Sequence, residues 1–364
     1  MTDTASGEDR REALVERLFE ATVGALELLS IHLGWRLGLY RVLADGDALT
    51  SAELAERAAI DERYAREWLE QQAVAGLLEV EEPSETEDAR RFRLPAEHAD
   101  VLADSDHPAH VAPFGPMLVG IGGAMPEVAE AYRTGAGVPY ERYGTDFRDG
   151  QGNINRPAFI AEMADWLAAS DEINRRLSDD PPALVADVGC GQGFSTVAIA
   201  RAYPSVIVHG IDLDEASVED ATAFAADTEV ADRVRFTVKD AEELGRAGTY
   251  DLVCIFEALH DMSRPVEALA AAREALAPGG SVLVMDERVA DSFTAPGDPV
   301  ERIMYGWSVV HCLPVSRAEQ PSAALGTVLR ADTVRRLAAD AGFSEVEVLP
   351  VENDFFRFYR LAAG

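Results

Sequence analysis

The chain has 364 residues, enough for two domains with a sizeable core, and its 32 basic against 65 acidic residues give a net charge of −33. Only one basic residue, Lys239, is lysine. This excess of carboxylate excludes nucleic-acid phosphate and anionic membrane as natural partners, and it suits a protein kept soluble in high salt, where screening relieves self-repulsion. A halophilic source is therefore expected. Cys190, Cys254 and Cys312 lie far apart and outside any C-x-x-C spacing, which favours a reducing cytosol over secretion. With no signal-like start and no run of ~20 apolar residues, the chain is expected to be cytoplasmic.

Residues Met1 to Asp9 are polar and read as disordered. From Arg11 to Ala44 the apolar positions Leu14, Leu18, Val23, Leu26, Leu29, Leu33, Leu37 and Tyr40 recur at helical spacing, predicting two long helices. Thr50-Ser-Ala-Glu53 is a capping-box start for a helix over Ser51 to Ala58, and Asp61 caps another reaching about Gly76. Leu77 to Glu82 and Arg90 to Leu94 read as strands around the turn Pro83 to Asp88. Three helices and a hairpin spell a winged helix. Its second helix would be the DNA reader, yet Asp61, Glu62, Glu67 and Glu70 outweigh Arg63 and Arg66 there, whereas a reader needs a basic face.

Residues 105–180 read as a helical connector and lid between the winged-helix domain, 1–104, and a second domain, 181–364. Gly135 to Gly152 is expected to be a long loop, and such loops often cover a site. Asn155 to Leu177 has helical spacing.

From Pro181 strand and helix alternate, the pattern of a parallel sheet covered on both faces. Strands are predicted at Ala183 to Val188, Val206 to Ile211, Val234 to Val238, Leu252 to Phe256 and Ser281 to Met285. A helix follows over Asp332 to Ala341, closed by Gly342, and then strands Val346 to Val351 and Phe355 to Leu361, which form an antiparallel hairpin. The first strand empties into Asp187-Val-Gly-Cys-Gly-Gln-Gly193 and a helix from Ser195 to Ala202, the first half of a nucleotide site. A dinucleotide fingerprint, G-x-G-x-x-G, would need glycine at Phe194. An NAD-dependent oxidoreductase is disfavoured on that ground.

The spacing Asp187-x-Gly189-x-Gly191-x-Gly193 resembles the first motif of class I S-adenosylmethionine (SAM)-dependent methyltransferases, in particular small-molecule O-methyltransferases of prokaryotes that carry an N-terminal winged helix. The resemblance implies a Rossmann-like α/β sheet of seven strands with an antiparallel last hairpin, preceded by a mainly helical winged-helix domain. It also implies SAM as cofactor, a small-molecule acceptor, and a homodimer formed through the N-terminal domain. It places Asp187, Gly189, Gly191 and Gly193 around the cofactor. Asp212, at the end of the second strand, stands at the ribose, with Asp214 the alternative acid or a helix cap, and Leu213 between them is a further cofactor-binding residue. Asp240 and Ala241 in Lys239-Asp-Ala241 meet the adenine, and Phe256 ends the fourth strand.

Leu259-His260-Asp261 resembles the L-H-D-W element whose histidine is the general base, and Asp286 matches the acid that holds it. Met262 departs from the tryptophan. A neutral imidazole suits proton removal near pH 7. The segment Thr294 to Thr327, with Tyr305, Trp307 and His311 as substrate-contact candidates and Cys312 beside them, reads as an apolar pocket wall; His311 and Cys312 read equally as core. No metal spacing links these residues. Two alternatives stay open: a winged-helix regulator that binds SAM as a signal, and a methyltransferase acting on a thiol or amine without a base.

Overall fold

The computed structural model describes residues 7–81, 86–179, 181–245 and 248–363. One unit of the fold is Met1–Gly120 with Asp149–Pro157; the other is Ile121–Arg148 with Ala158–Gly364. The expected connector, 105–180, contributes to both.

In the first unit the two expected long helices are one, Gly7–Arg36, followed by a short turn of helix at Leu39–Leu43. Gly38 separates them at φ 69°, a left-handed conformation that glycine adopts without strain. Residues 7–9, expected to be disordered, are the first helical turn; residues 1–6 lie outside the described ones. Ser51–Ala58 begins as its capping box dictates, the Thr50 side chain accepting from the Glu53 N–H while the Glu53 carboxylate accepts from the Thr50 N–H. Asp61 caps Glu62–Val74 by accepting from the Arg63 and Tyr64 N–H groups. Strands β1 (Glu79–Glu81) and β2 (Arg91–Arg93) pair antiparallel and are shorter than expected; of the turn between them, residues 82–85 lie outside the described ones.

The core of this unit is Leu39, Tyr40, Leu43, Leu54, Trp68, Leu69, Phe92 and Leu94. Of the apolar positions expected on the first helices, only Tyr40 is buried. Leu14, Leu18, Leu26, Leu29, Leu33 and Leu37 are all exposed, Leu26 by 60%.

The predicted long loop contracts to residues 135–139. Tyr140–Tyr143 is a 3-10 turn and Gly144–Ala168 a helix, so the reading of a lid loop through Gly152 is corrected. Gly150 explains the error. A Cβ there would lie 2.6 Å from the Met117 side chain and 2.8 Å from its amide nitrogen, so the glycine permits close packing between helices and marks no loop.

The second unit is built on a seven-stranded sheet, β3 (Leu184–Val188), β4 (Ile207–Asp212), β5 (Val234–Val238), β6 (Tyr250–Phe256), β7 (Leu276–Glu287), β8 (Glu345–Val348) and β9 (Phe356–Ala362). The spatial order is β5-β4-β3-β6-β7-β9-β8, parallel except that β9 runs antiparallel to both β7 and β8. Alternation assigns the side chains to two faces. Leu252, Cys254 and Phe256 join Val185, Val208, Trp166 and Ile199 on one; Val253 and Ile255 join Ala186, Val284, Leu269 and Leu337 on the other. Because β4 lies to one side of β3 and β6 to the other, the carboxyl ends of β3 and β6 form the switch point where sheets of this kind bind ligands.

Candidate active site

The turn after β3 carries the glycines at φ 74° (Gly189), 50° (Gly191) and 80° (Gly193). A Cβ at Gly189 would fall 2.5 Å from that of Ala258, so the loop after β3 touches the loop after β6. At Gly191 a Cβ would meet nothing within 4 Å, and the backbone is open there. The loop is braced from both flanks. Asp187 is buried, and its Oδ2 accepts from Ser195 Oγ and Thr196 Oγ1, both at 2.6 Å. Its Oδ1 is buried with no hydrogen-bond partner among the described residues, and burial pushes the carboxyl up to about 6 against the lowering effect of the two hydroxyls. Asp212 Oδ2 accepts from the Gly191 N–H at 2.8 Å and its Oδ1 from the Asp214 N–H at 2.9 Å. Burial raises Asp212 too, opposed by those amides.

An unpaired buried carboxylate oxygen, a half-buried carboxylate with spare lone pairs and an open glycine suit a cationic, hydroxyl-bearing ligand. The residues present therefore fit SAM. Asp214 caps the helix Glu215–Ala226 through the Ser217 N–H, the alternative expected for it. Leu213 is 60% exposed at the same strand end. Asp240 caps the 3-10 turn Ala241–Glu243 with Oδ1 and holds its Oδ2 3.6 Å from Arg264. Phe256 is a core residue, its ring 6.0 Å from that of Phe159.

After β6 the chain turns through Glu257, at φ 49°, into Leu259–Asp261. A non-glycine residue in that region is strained, and such strain collects at functional sites. His260 is 3% exposed, and its Nδ1 lies 3.1 and 3.2 Å from the two oxygens of the fully buried Asp286, which β7 presents. Asp286 Oδ1 also accepts from the Glu287 N–H. Nε2 stands 3.5 Å from Asp261 Oδ1. Burial alone would lower the imidazole, but Asp286 and then Asp261 outweigh it and hold His260 well above its usual range. The two carboxylates thus favour the protonated ring, whereas the sequence-based expectation was a neutral imidazole near pH 7.

Sequence reasoning missed the acids around this dyad. Burial, and then the Glu257 carboxylate beside it, raise Glu287 well above the carboxylate range. A carboxylate closing an apolar strand was the available signal, and on β7 it was read for Asp286 and not for Glu287 beside it.

The three substrate-contact candidates do not converge. His311 is buried in an aromatic box of Tyr143 (ring centroids 4.5 Å apart), Phe147 (4.0 Å, stacked) and Tyr140 (6.0 Å). Burial lowers it to about 3. Tyr305 is exposed against Phe293 and Arg330, and Trp307 is half-buried. The segment 294–327 folds as the helix Pro299–Trp307, a π turn over Ser308–Cys312 and the helix Leu313–Ser316. It brings Cys312 to His260 and Asp261.

Residues 185–280 match the family described as a methyltransferase domain, and residues 24–104 the Rv2258c-like winged HTH domain. The trans-aconitate 2-methyltransferase of Streptomyces avermitilis is 32% identical over 145 residues, 39% of this chain and 49% of that protein. The 27-O-demethylrifamycin SV methyltransferase of Amycolatopsis mediterranei is 33% identical over 139 residues, 37% of this chain and 51% of that protein. The chain thus spans about half the length of these curated relatives. Among solved structures, the mitomycin 7-O-methyltransferase MmcR has a TM-score of 0.71 at 20% identity, covering 98% of this chain and 100% of that one. Human N-acetylserotonin methyltransferase, solved with SAM, has 0.70 at 17%, covering 100% of both. These likenesses show the fold, and the family matches mark residues 185–280 as a methyltransferase domain and residues 24–104 as a winged helix-turn-helix domain.

Proposed function

We propose that the protein methylates a hydroxyl group of a small molecule, with SAM as donor. The observation that carries this reading is the His260–Asp286 dyad at the end of β6, one strand from the glycine loop. SAM supplies a methyl group already activated by a sulfonium, so proximity and exclusion of water account for most of the acceleration. Asp187, Gly189, Gly191 and Gly193 hold the cofactor's charged end, Asp212 its ribose, and Leu213 with Asp240 and Ala241 its adenine. Asp286 fixes the imidazole through Nδ1 and leaves Nε2 to take the acceptor's proton. Because two carboxylates raise His260, this base becomes available as pH rises through its elevated value, and the protein works best on the alkaline side of neutral.

The exposed apolar face of Gly7–Arg36 supports a homodimer formed through the N-terminal unit. The acidic surface supports a small-molecule partner, a cytoplasmic setting and a halophilic source, and speaks against a DNA-bound regulator.

A second reading has a specific observation behind it. If His260 stays protonated as its carboxylates favour, the acceptor is a thiol or amine that arrives without its proton. Calorimetric titration in concentrated KCl with SAM, S-adenosylhomocysteine and NAD tests the cofactor: saturable binding of the first two alone is expected, and binding of NAD alone would sink the assignment. His260→Ala decides between the two readings, since activity surviving intact removes the general base.

A further inference from the structure

The π turn of the second unit carries Cys312 to the one ring nitrogen of His260 that Asp286 leaves free. The ligating atoms of His260, Asp261 and Cys312 all lie within 4.8 Å of one another, and the histidine and cysteine are buried. We propose that these three side chains are a binding site for one thiophilic divalent cation of the zinc class.

Imidazole nitrogen, thiolate sulfur and carboxylate oxygen form a ligand set that zinc prefers over magnesium or calcium. Tetrahedral zinc with bonds of about 2.0–2.3 Å holds its ligands roughly 3.3–3.8 Å apart. His260 Nε2 and Asp261 Oδ1 already stand at 3.5 Å, so at most about an ångström of closure remains for the sulfur.

The surroundings are those of a metal-bound histidine. Nδ1 is held by Asp286 at 3.1 and 3.2 Å, which turns Nε2 toward the cluster, and Asp286 is itself held by the Glu287 N–H at 3.0 Å. A carboxylate behind the imidazole fixes its tautomer and raises its basicity as a ligand. On the sulfur side, His311 Nδ1 lies 3.3 Å from Cys312 Sγ, placed to donate to a thiolate. Asp261 Oδ1, 3.5 Å from Nε2, is buried with no hydrogen-bond partner among the described residues, a cost that a cation would remove. Binding releases the thiol proton of Cys312, and the proton on His260 Nε2, to solvent. With three ligands from the chain, the fourth position is open.

The assembly of this site is independent of the methyl-transfer reading; its consequence rests on that reading. A cation on Nε2 takes the lone pair assigned to the acceptor's proton, so zinc silences the base.

Cobalt is the probe. The full chain, dialysed against chelator and kept reduced, is titrated with Co²⁺ alone. Expected are a thiolate-to-cobalt charge-transfer band and the intense visible absorption of four-coordinate cobalt, saturating at one ion per chain and abolished by Zn²⁺. Cys312→Ser removes the charge-transfer band, and Asp261→Asn and His260→Ala each weaken binding at least ~10-fold. Cys254→Ala, a thiol in the sheet core, leaves the band in place. Melting curves establish that each variant is folded, and should Cys312→Ser fail to fold, Asp261→Asn decides. A band that survives Cys312→Ser, or cobalt uptake without any charge transfer, as carboxylates on this acidic surface would give, overturns the proposal. SAM binding, measured separately, is unaffected by either outcome.

Discussion

Replacing Asp286 by asparagine removes the charge behind His260 while keeping the shape. Of the contacts Asp286 makes, the bonds that Oδ1 accepts from His260 Nδ1 and the Glu287 N–H survive if the amide oxygen takes that place. What disappears is the charge assistance to a fully buried bond, about 1.5–3 kcal/mol for a hydrogen bond to a charged group against about 1 for a neutral one. The imidazolium is left with Asp261 alone. A destabilisation of about 0.5–2 kcal/mol is therefore expected near pH 6.

Its pH dependence is the sharper part. The folded state holds His260 well above the ordinary value near 6.5. Its pairing thus contributes stability fully below the unfolded value, and that contribution is lost as pH rises through the folded one. The difference between wild type and Asp286→Asn, measured by urea unfolding in constant KCl, should be largest near pH 6 and shrink steadily on the alkaline side. Nitrogen NMR of His260 should show the ring titrating lower in the variant. A stability difference that stays flat from pH 6 to 10, or grows with pH, would refute the idea of an imidazolium held by Asp286.

Three further outcomes follow from the same structure. Asp212→Ala should weaken SAM binding by roughly 10- to 100-fold, the loss of one or two charge-assisted hydrogen bonds, without changing the oligomeric state; calorimetric affinity within twofold of wild type would remove Asp212 from the ribose. Leu18→Glu with Leu26→Glu, both on the exposed face of the first helix, should give a monomer in sedimentation at micromolar concentration with the second unit still able to bind SAM; an unchanged dimer would place the interface elsewhere. Because the chain carries a net charge of −33, its melting temperature should rise as KCl is added from 0.1 M into the molar range and level off only after the Debye length has fallen to about 3 Å. A melting temperature that falls over that range would remove the halophilic reading.

Local chemistry was legible wherever a short stretch decides its own conformation. The Thr50 capping box and the Asp61 cap start their helices where the spacing placed them, and Val234–Val238 runs between the expected residues. The glycines at 189, 191 and 193 all stand at positive φ, and at 189 and 193 a Cβ would also collide with Ala258 or Phe236. Less legible were places where a neighbour remote in sequence decides. The stretch 144–152 looks like a loop by its glycines, yet it is helix, since Gly150 is needed where Met117 packs against it.

The amino-acid sequence by itself determined the alternation of strands and helices in the second unit and the glycine turn, because periodicity, capping and turn chemistry act over a few residues; the roles expected of Asp187, Asp212, His260 and Asp286 came from the resemblance to methyltransferases. Only the tertiary structure decided which groups surround the imidazole. Strand register brings Asp286 of β7 beside the exit of β6, and a π turn some fifty residues on in the chain brings Cys312 to the same ring. Burial then turns those juxtapositions into energies: two carboxylates prevail over desolvation and raise His260 above its usual range, a balance that spacing along a chain does not contain.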